Sequence, residues 1–332
     1  MLKRFAIFVL CALAGNASAA RPGWSFATLG TLGGNVSWAT GVNNAGEVVG
    51  WSGTARGEFT ETDPEYHAFV YGNGAMRDLG RAGESSSAWA INDRGAIAGV
   101  SHAEGVWIGA GASSKALGFK GTPYGINRLG VIAGSYDAGG ALRAFTYRGG
   151  ILAELGTLGG AWSQAEAIND RGVVVGASVN AAGLVRAFIH ERGRMRELGT
   201  LGGPHSQAFG VNERGVVVGS AGNAANGVQA FIHDGVMRAL FRMPRPQDVS
   251  EAHAINNRNQ VVGTLNDAGF LWDNGKLTML RDLLTPEQQA VWGVLTPMDI
   301  NDRGWIVGVA SSEGVNGIPG GSRRAFILKP DR

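Results

Sequence analysis

The stretch Ile168-Asn169-Asp170-Arg171-Gly172-Val173-Val174-Val175-Gly176 decides the fold, because its pattern of an aliphatic residue, Asn and a later Gly occurs seven times in the chain. The seven Asn positions are separated by 49, 35, 42, 43, 44 and 45 residues. A period of this length is typical of the four-stranded blades of a β-propeller. The copies are Val42-Asn43 to Gly50, Ile91-Asn92 to Gly99, Ile126-Asn127 to Gly134, Ile168-Asn169 to Gly176, Val211-Asn212 to Gly219, Ile255-Asn256 to Gly263 and Ile300-Asn301 to Gly308.

Each repeat is predicted to contain two linked β-hairpins. In the fourth copy the β-like runs are Ser163 to Ile168, Val173 to Gly176, Arg186 to His190 and Met195 to Leu198. The turn between the first two runs carries Gly172, and the sixth copy has Asn259 in that place. Asn is the commonest residue after Gly at positive φ, so this position is predicted to be left-handed. Short Gly-containing turns between the last two runs are typical of hairpins.

Residue size is graded across the repeat. Small residues stand two and four places before the Asn, as in Ala165 and Ala167, and they are predicted to lie where the blades crowd around an axis. The third strand instead carries a large ring, which is predicted to fill the space between neighbouring blades. These rings are Phe69, Trp107, Phe145, Phe188, Phe231, Phe270 and Phe326.

The two ends of the chain are predicted to complete one blade. The seventh copy stops after its third strand, Arg324 to Leu328, whereas residues 24–34 resemble the fourth strand and following turn of the other copies. Phe26 takes the place that Met195 has in the fourth copy. Pairing of the N-terminal with the C-terminal strand would remove two exposed edges. The sequence therefore predicts an all-β, seven-bladed propeller with four-stranded antiparallel blades, closed by its terminal strands.

The repeats resemble the HAF repeat family, which is named for a His-Ala-Phe triplet. His67-Ala68-Phe69 matches the triplet fully, and the stretch Leu-Gly-Thr-Leu-Gly-Gly stands at 29–34, 155–160 and 198–203. The second copy departs most, because Gly105-Val106-Trp107 replaces the triplet, so its boundaries are the least defined. The resemblance implies an exported bacterial repeat protein and supplies no activity. Partial matches are Arg143-Ala144-Phe145, Arg186-Ala187-Phe188, Gln229-Ala230-Phe231 and Arg324-Ala325-Phe326.

Residues 1–19 have the pattern of a secretory signal peptide, with Lys3 and Arg4 before an apolar run and Ala17-Ser18-Ala19 at the cleavage site. We expect residues 20–332 to form a single propeller domain that is secreted, either to the periplasm or outside the cell. This apolar run is too short to span a membrane, and no comparable run occurs later in the chain. Removal of Cys11, the only cysteine, leaves neither disulfides nor thiolate metal ligands.

Charge argues against a nucleic-acid partner. The chain has 29 Lys and Arg against 27 Asp and Glu, and loss of the signal removes two of the basic residues. A net charge near zero provides no long-range attraction to nucleic acid or anionic membrane. We expect a monomer whose partner is a protein or glycan of the envelope or exterior.

No catalytic or cofactor-binding residue can be assigned, because none of the common catalytic or nucleotide-binding motifs occurs. The acidic loop that contains Glu58, Glu61, Asp63 and Glu65 is a candidate calcium site, although its Pro and its charges also suit a plain surface loop. Trp38, Trp89 and Trp162 are candidates for an aromatic sugar-binding surface, although core packing also explains them.

Three functions remain open from the sequence. The leading hypothesis is a non-catalytic binding or scaffolding propeller whose ligand is a protein or glycan. The alternative is a hydrolase or lyase that acts on a polysaccharide through loop residues on the propeller face, and the third is a purely structural repeat protein. At least two carboxylates beside a tryptophan in the central mouth would favour the enzyme, and an aromatic patch without acids would favour binding.

Overall fold

The computed structural model describes residues 23–55, 65–80, 83–110, 113–245, 247–312 and 322–331. The described residues form 28 β-strands, one 3-10 helix and one short α-helix. The all-β class is thereby confirmed, and the four-stranded antiparallel sheets are those of a β-propeller. The predicted signal peptide lies outside the described residues.

The strands follow one another in the order predicted for the repeats. Those of the first three repeats, after the N-terminal strand β1 (Trp24–Thr28), are β2 (Gly33–Val42), β3 (Val48–Thr54), β4 (Tyr66–Gly72), β5 (Ala75–Asp78), β6 (Ser86–Ile91), β7 (Ile97–Ser101), β8 (Gly105–Ala110), β9 (Ser113–Ala116), β10 (Thr122–Ile126), β11 (Ile132–Asp137), β12 (Leu142–Arg148) and β13 (Ile151–Glu154). Those of the next three are β14 (Gly159–Ile168), β15 (Val174–Asn180), β16 (Val185–Glu191), β17 (Arg194–Glu197), β18 (Gly202–Val211), β19 (Val217–Asn223), β20 (Val228–His233), β21 (Met237–Ala239), β22 (Ser250–Ile255), β23 (Val261–Leu265), β24 (Ala268–Asp273) and β25 (Lys276–Met279). The last repeat has β26 (Trp292–Ile300), β27 (Ile306–Ser312) and β28 (Arg323–Pro330).

Two short helices precede the last repeat. The 3-10 helix η1 spans Leu280–Leu283 and the α-helix α1 spans Pro286–Val291. The sequence pattern at Thr285 and Gln288 predicts a capping box there. It is confirmed, since each residue's side chain bonds the other's backbone N–H.

The second to sixth repeats each form a separate four-stranded antiparallel sheet with its strands in chain order. The predicted pair of linked hairpins is therefore confirmed, although in the fourth copy β14 and β15 extend beyond the predicted runs. The strands of the first and last repeats share an eight-stranded sheet, in which one parallel contact between Val36 and Arg323 joins β2 to β28.

The two ends of the chain pair with each other. β1 runs antiparallel to β28, with Trp24 opposite Pro330 and Thr28 opposite Phe326. The rings of Phe26 and Phe326 are 5.9 Å apart. The N-terminal strand is thus the fourth strand beside β26, β27 and β28, where the sequence predicted it.

The third-strand rings pack between neighbouring sheets, as predicted. The six Phe residues are fully buried and Trp107 is 6% exposed. Phe188 of β16 packs with Ala133 and Ala144 of the preceding repeat and with Ala165 of its own. Burying a large aromatic side chain contributes about 1.5–3 kcal/mol, so each of these seven rings stabilises the packing between sheets.

Buried hydroxyls join five of the seven repeats to the repeat before them. Ser163 Oγ accepts a hydrogen bond from the backbone N–H of Ala144 at 3.0 Å and donates to the carbonyl of Gly156 at 2.6 Å. Ala144 is the middle residue of the triplet in the preceding repeat, so the triplet and the serine form one unit. The same bond to a triplet Ala, or its equivalent, is made by Ser37, Ser86, Ser206 and Ser250.

The Asn side chain closes its own turn. Asn169 Oδ1 accepts from the N–H groups of Arg171 and Val173, at 3.1 and 3.0 Å. The sequence did not predict the second half of the interaction, in which Asn169 Nδ2 donates to the carbonyl of Asn212 in the next repeat at 2.9 Å. The same donation runs from Asn43 to Asn92, Asn92 to Asn127, Asn127 to Asn169, Asn212 to Asn256, Asn256 to Asn301 and Asn301 to Asn43.

A β-bulge interrupts the first strand three residues before each Asn. On β14, Ala165 pairs with Gly176 and Ala167 with Val175, which leaves Glu166 unpaired. A Cβ on Gly176 would collide with the carbonyl oxygen of Gln164, so the final Gly of the motif permits this close approach. Similar register shifts occur on β2, β6, β10, β18, β22 and β26.

The bulge corrects one prediction about the small residues. Ala167 lines a cavity between the first strands of the repeats, but Ala165 is buried in the cluster between sheets. The two residues do not share a face because the extra residue in the bulge breaks the period-two alternation of the strand.

Candidate functional site

The residues at the bulges line one cavity of about 480 Å³, which we call the axial cavity. Bulges re-aim side chains and are enriched next to functional sites. The volume lies within the range of about 300–1,000 Å³ that is typical of small-molecule sites. The bulge residue of every repeat lines this cavity. The seven bulge residues are Thr40, Trp89, Tyr124, Glu166, Phe209, His253 and Met298.

An aliphatic layer separates the axial cavity from a smaller one. Ile91, Ile126, Ile168, Val211 and Ile255 line both cavities. The second cavity is only about 200 Å³, and the Asn turns form its wall.

Polar groups of the smaller cavity largely bond to one another. The N–H of Asp170 donates to Glu213 Oε1 at 2.9 Å, and the N–H of Glu213 donates to Asn257 Oδ1 at 2.9 Å. Groups already paired in this way stabilise the turns and offer little to a ligand. The candidate site is therefore the axial cavity.

Glu166 is an acid of the cavity wall with a strongly shifted pKa. Gln164 and Gln207 donate to the same carboxylate oxygen, Oε1, at 2.7 and 3.1 Å. The other oxygen, Oε2, has no hydrogen-bond partner among the described residues. Desolvation raises the pKa of Glu166 to about 7, despite the two amide donors. Near neutral pH this carboxyl can therefore bind or release a proton.

Glu251 lies in the same cavity and has the opposite shift. Its Oε2 is 3.9 Å from Nε2 of His253, and interaction with His253 holds the pKa of Glu251 below its ordinary value. His253 Nδ1 donates to the carbonyl of Pro297 at 2.8 Å. Nδ1 therefore carries a proton, and Nε2 faces Glu251.

Asp299 replaces the small residue of the repeat. Its position holds Gly or Ala in the other six copies, at Gly41, Ala90, Gly125, Ala167, Gly210 and Ala254. The carboxylate accepts from the N–H groups of Val42 and Ile300, at 2.9 and 2.8 Å. Desolvation nevertheless raises the pKa of Asp299 to about 6. The cavity wall therefore contains three carboxyl groups.

Aromatic rings form the remaining wall. Trp89 and Tyr124 meet edge to face with centroids 5.3 Å apart, and Phe209 meets His253 in the same manner at 6.3 Å. Nε1 of Trp89 is buried and has no hydrogen-bond partner among the described residues. A buried N–H without an acceptor costs about 1–3 kcal/mol, so this feature of Trp89 lowers the stability of the folded protein.

The three tryptophans predicted as an aromatic surface occupy different levels of the first strand. Trp89 alone lines the axial cavity. Trp38 stacks on Trp51 at 6.1 Å, and Trp51 contacts Tyr66 at 5.5 Å. Trp162 lies on β14, where its carbonyl accepts from Ser178 Oγ. The three do not form one continuous surface.

The predicted calcium loop is described only at its end. Glu65 Oε1 is 3.2 Å from Nε2 of His67 and accepts from the N–H of Gly83. Glu58, Glu61 and Asp63 lie outside the described residues, so calcium binding stays a prediction. In the part of the chain that the structure describes, no three His, Cys, Asp or Glu side chains are grouped as metal ligands.

Sequence reasoning missed Glu166, Glu251, His253 and Asp299 as site residues. Asp299 carried a detectable signal, because it interrupts the column of small residues two places before the Asn. For Glu166 the signal was the variety of its column, which holds Thr, Trp, Tyr, Glu, Phe, His and Met in the seven copies. A column with a purely structural role would hold similar residues.

Comparison with known proteins supports the fold. No family model and no curated protein matches the chain. The β-propeller domain of the Trilobed protease from Pyrococcus furiosus is similar, with a TM-score of 0.55 and 12% identity over 90% of this chain and 95% of that one. The extracellular domain of a one-component system from B. thetaiotaomicron has a TM-score of 0.54 and 12% identity over 91% of this chain and 40% of that one.

TolB from Acinetobacter baumannii is also similar, with a TM-score of 0.47 and 12% identity over 91% of this chain and 65% of that one. The chain therefore spans less than two thirds of this protein and of the B. thetaiotaomicron domain. Separately, the described residues contain no helix with the length and apolar character needed to cross a membrane.

Proposed function

We propose that the protein is an exported, non-catalytic binding propeller whose small-molecule ligand occupies the axial cavity. The observation that carries the proposal is the set of seven bulges. Each bulge inserts an extra residue into the first strand, and the side chain of that residue lines the cavity. These side chains differ in every repeat. The Asn and the later Gly of the same motif are instead identical in all seven repeats.

The finer architecture belongs to the same proposal. Seven four-stranded blades form a ring that the pairing of β1 with β28 closes, and residues 1–19 direct export of this HAF-type repeat protein. Deletion of residues 24–28 tests closure, because it exposes the edge of β28. We expect the truncated protein to self-associate in size-exclusion chromatography while the parent stays monomeric. A monomeric truncated protein of unchanged stability would contradict closure by β1.

A thermal-shift screen of residues 20–332 against sugars, amines and carboxylic acids tests the binding role. We expect at least one class to raise the melting temperature. Met298→Trp places an indole at a bulge position, as the second repeat does at Trp89, and should abolish the shift by filling the cavity.

Ile151→Trp is the matched control, because Ile151 is 72% exposed on the outermost strand of its sheet. A ligand shift that survives Met298→Trp would place the ligand elsewhere. No shift with any class would contradict the binding role.

A polysaccharide hydrolase or lyase is the second candidate. Glu166 and Glu251 line the same cavity as Trp89 and have pKa values shifted in opposite directions. Environments that separate the pKa values of two acids are typical of a general acid and a general base. In this reading Glu166 is the acid and Glu251 the base.

Product formation separates the two candidates. An enzyme would release reducing or unsaturated ends from a polysaccharide, and Glu166→Gln would lower that rate by about a hundredfold or more. A binding protein would release none. Glu191→Gln, on the third strand of the same repeat, is the control for the substitution itself.

A further inference from the structure

We propose that the ligand of the axial cavity is a small organic cation, such as a protonated amine, held between carboxylates and aromatic rings. This inference rests on the proposed binding role and names the class of ligand. Three features of the described cavity wall carry it: its charge, its rings and the free oxygen of Glu166.

The wall is rich in carboxyl groups. Glu166, Glu251 and Asp299 line the cavity, and no Lys or Arg is among its described lining residues. The whole chain is nearly neutral, so this composition is local. A cation gains from such a wall, whereas an anion would be repelled by at least the ionised Glu251.

Glu166 has one carboxylate oxygen, Oε2, that is available to accept a hydrogen bond from a ligand. Both amide donors bond to Oε1, and Oε2 has no partner among the described residues. Because a desolvated carboxylate lacks its water shell, an ammonium that bonds to Oε2 would replace that stabilisation. Charge-assisted bonds of this kind are about twice as strong as neutral ones.

The rings suit the organic part of the ligand. Trp89 and Tyr124 meet edge to face, and Phe209 stands with His253 in the same wall. Aromatic faces attract organic cations and also pack against their methylene groups. A bare metal ion is a poorer fit, since the described residues contain no group of three metal-ligating side chains.

Three four-carbon probes test the charge of the ligand on residues 20–332. Putrescine is cationic, butanediol is neutral and succinate is anionic, so they differ in charge while sharing length. By isothermal titration we expect putrescine to bind about tenfold or more tightly than butanediol. Glu166→Gln should weaken putrescine binding about tenfold, and Glu191→Gln should leave it unchanged.

The pH dependence provides a second readout. The titratable neighbours of Glu166 in the cavity are Tyr124, Glu251, His253 and Asp299. Glu166 must lose its proton to hold a cation, so putrescine affinity should rise with pH up to about 7. In Glu166→Gln this rise should shrink, leaving the contribution of Asp299, whose pKa desolvation raises to about 6.

Each outcome is decisive for the class of ligand. Equal binding of putrescine and butanediol, or binding of succinate alone, would overturn the cation and leave the binding role intact if Met298→Trp blocks it. Putrescine affinity that Glu166→Gln does not change would also overturn the inference. Failure of every compound in the wider screen would instead contradict the binding role itself.

Discussion

Asn301 Nδ2 donates a 2.9 Å hydrogen bond to the carbonyl of Asn43, although 258 residues separate them. Six equivalent bonds lead from Asn43 through the other repeats to Asn301. The chain ends are also paired at the fourth strand, where β1 lies beside β28. The last repeat is thus attached to the N-terminal part of the chain through both its first and its fourth strand.

Asn301→Asp should destabilise the protein selectively through this bond. Aspartate can still accept from the N–H groups of Arg303 and Trp305, but it cannot donate to Asn43. The carbonyl then loses a donor and faces a carboxylate, which we expect to cost about 2–3 kcal/mol in urea unfolding. Asn274→Asp, in an exposed hairpin turn, should change stability by less than about 0.5 kcal/mol. Equal effects of the two substitutions would show that the bond between repeats contributes nothing.

Gly176→Ala should destabilise the protein through a steric clash, since Gly176 does not have a positive φ. The added Cβ would collide with the carbonyl oxygen of Gln164 beside the bulge, so the backbone must move, at about 3 kcal/mol. Gly172 has a φ of +78° and open space around it, so Gly172→Ala should cost only about 1–2 kcal/mol. Urea midpoints of the two variants compare these costs. A smaller effect at Gly176 would mean that the bulge relaxes freely.

The sequence predicted the repeated strands, the rings between sheets and the pairing of the terminal strands, and it missed the Asn bonds between repeats and the bulges. Asn259 in place of Gly predicted the left-handed turn correctly, since its φ is 62°. Hydrogen bonding within the turn accounts for Oδ1 of the Asn. The acceptor of Nδ2 lies in the next repeat, so the residues around the Asn do not reveal it. If side chains alternated strictly along β14, Glu166 would lie on the opposite face of the sheet from Ala165 and Ala167. Only the observed register reveals the bulge, so the sequence could flag Asp299 and Glu166 as unusual but could not bring them into one cavity.

Glu166→Gln should flatten the dependence of stability on pH. The pKa of Glu166 is about 7 in the folded protein, against an ordinary value of 4.5. Between these values the unfolded chain has lost the proton that the folded chain keeps, so stability falls as pH rises, by about 3 kcal/mol in all. The variant should therefore match the parent near pH 4 and exceed it above about pH 7.

Urea unfolding at both ends of this pH range measures the difference. Glu251→Gln is the control of opposite sign, because the folded-state pKa of Glu251 is lowered and its contribution to stability is lost as pH falls. A constant difference between Glu166→Gln and the parent would mean that Glu166 is solvated.

Trp89→Phe should separate ligand binding from stability. The substitution keeps an aromatic ring in the wall and removes the buried N–H that has no acceptor among the described residues. Relief of that penalty, about 1–3 kcal/mol, offsets the loss of part of the ring, so the free protein should unfold at a similar or higher urea concentration.

The control is Trp107→Phe, where a core indole with 6% exposure loses volume, and a drop of about 2 kcal/mol is expected. A ligand that accepts from Nε1 should bind Trp89→Phe less tightly by about 1 kcal/mol. If Trp89→Phe loses as much stability as Trp107→Phe, then Trp89 is an ordinary core residue and its N–H is not available to a ligand.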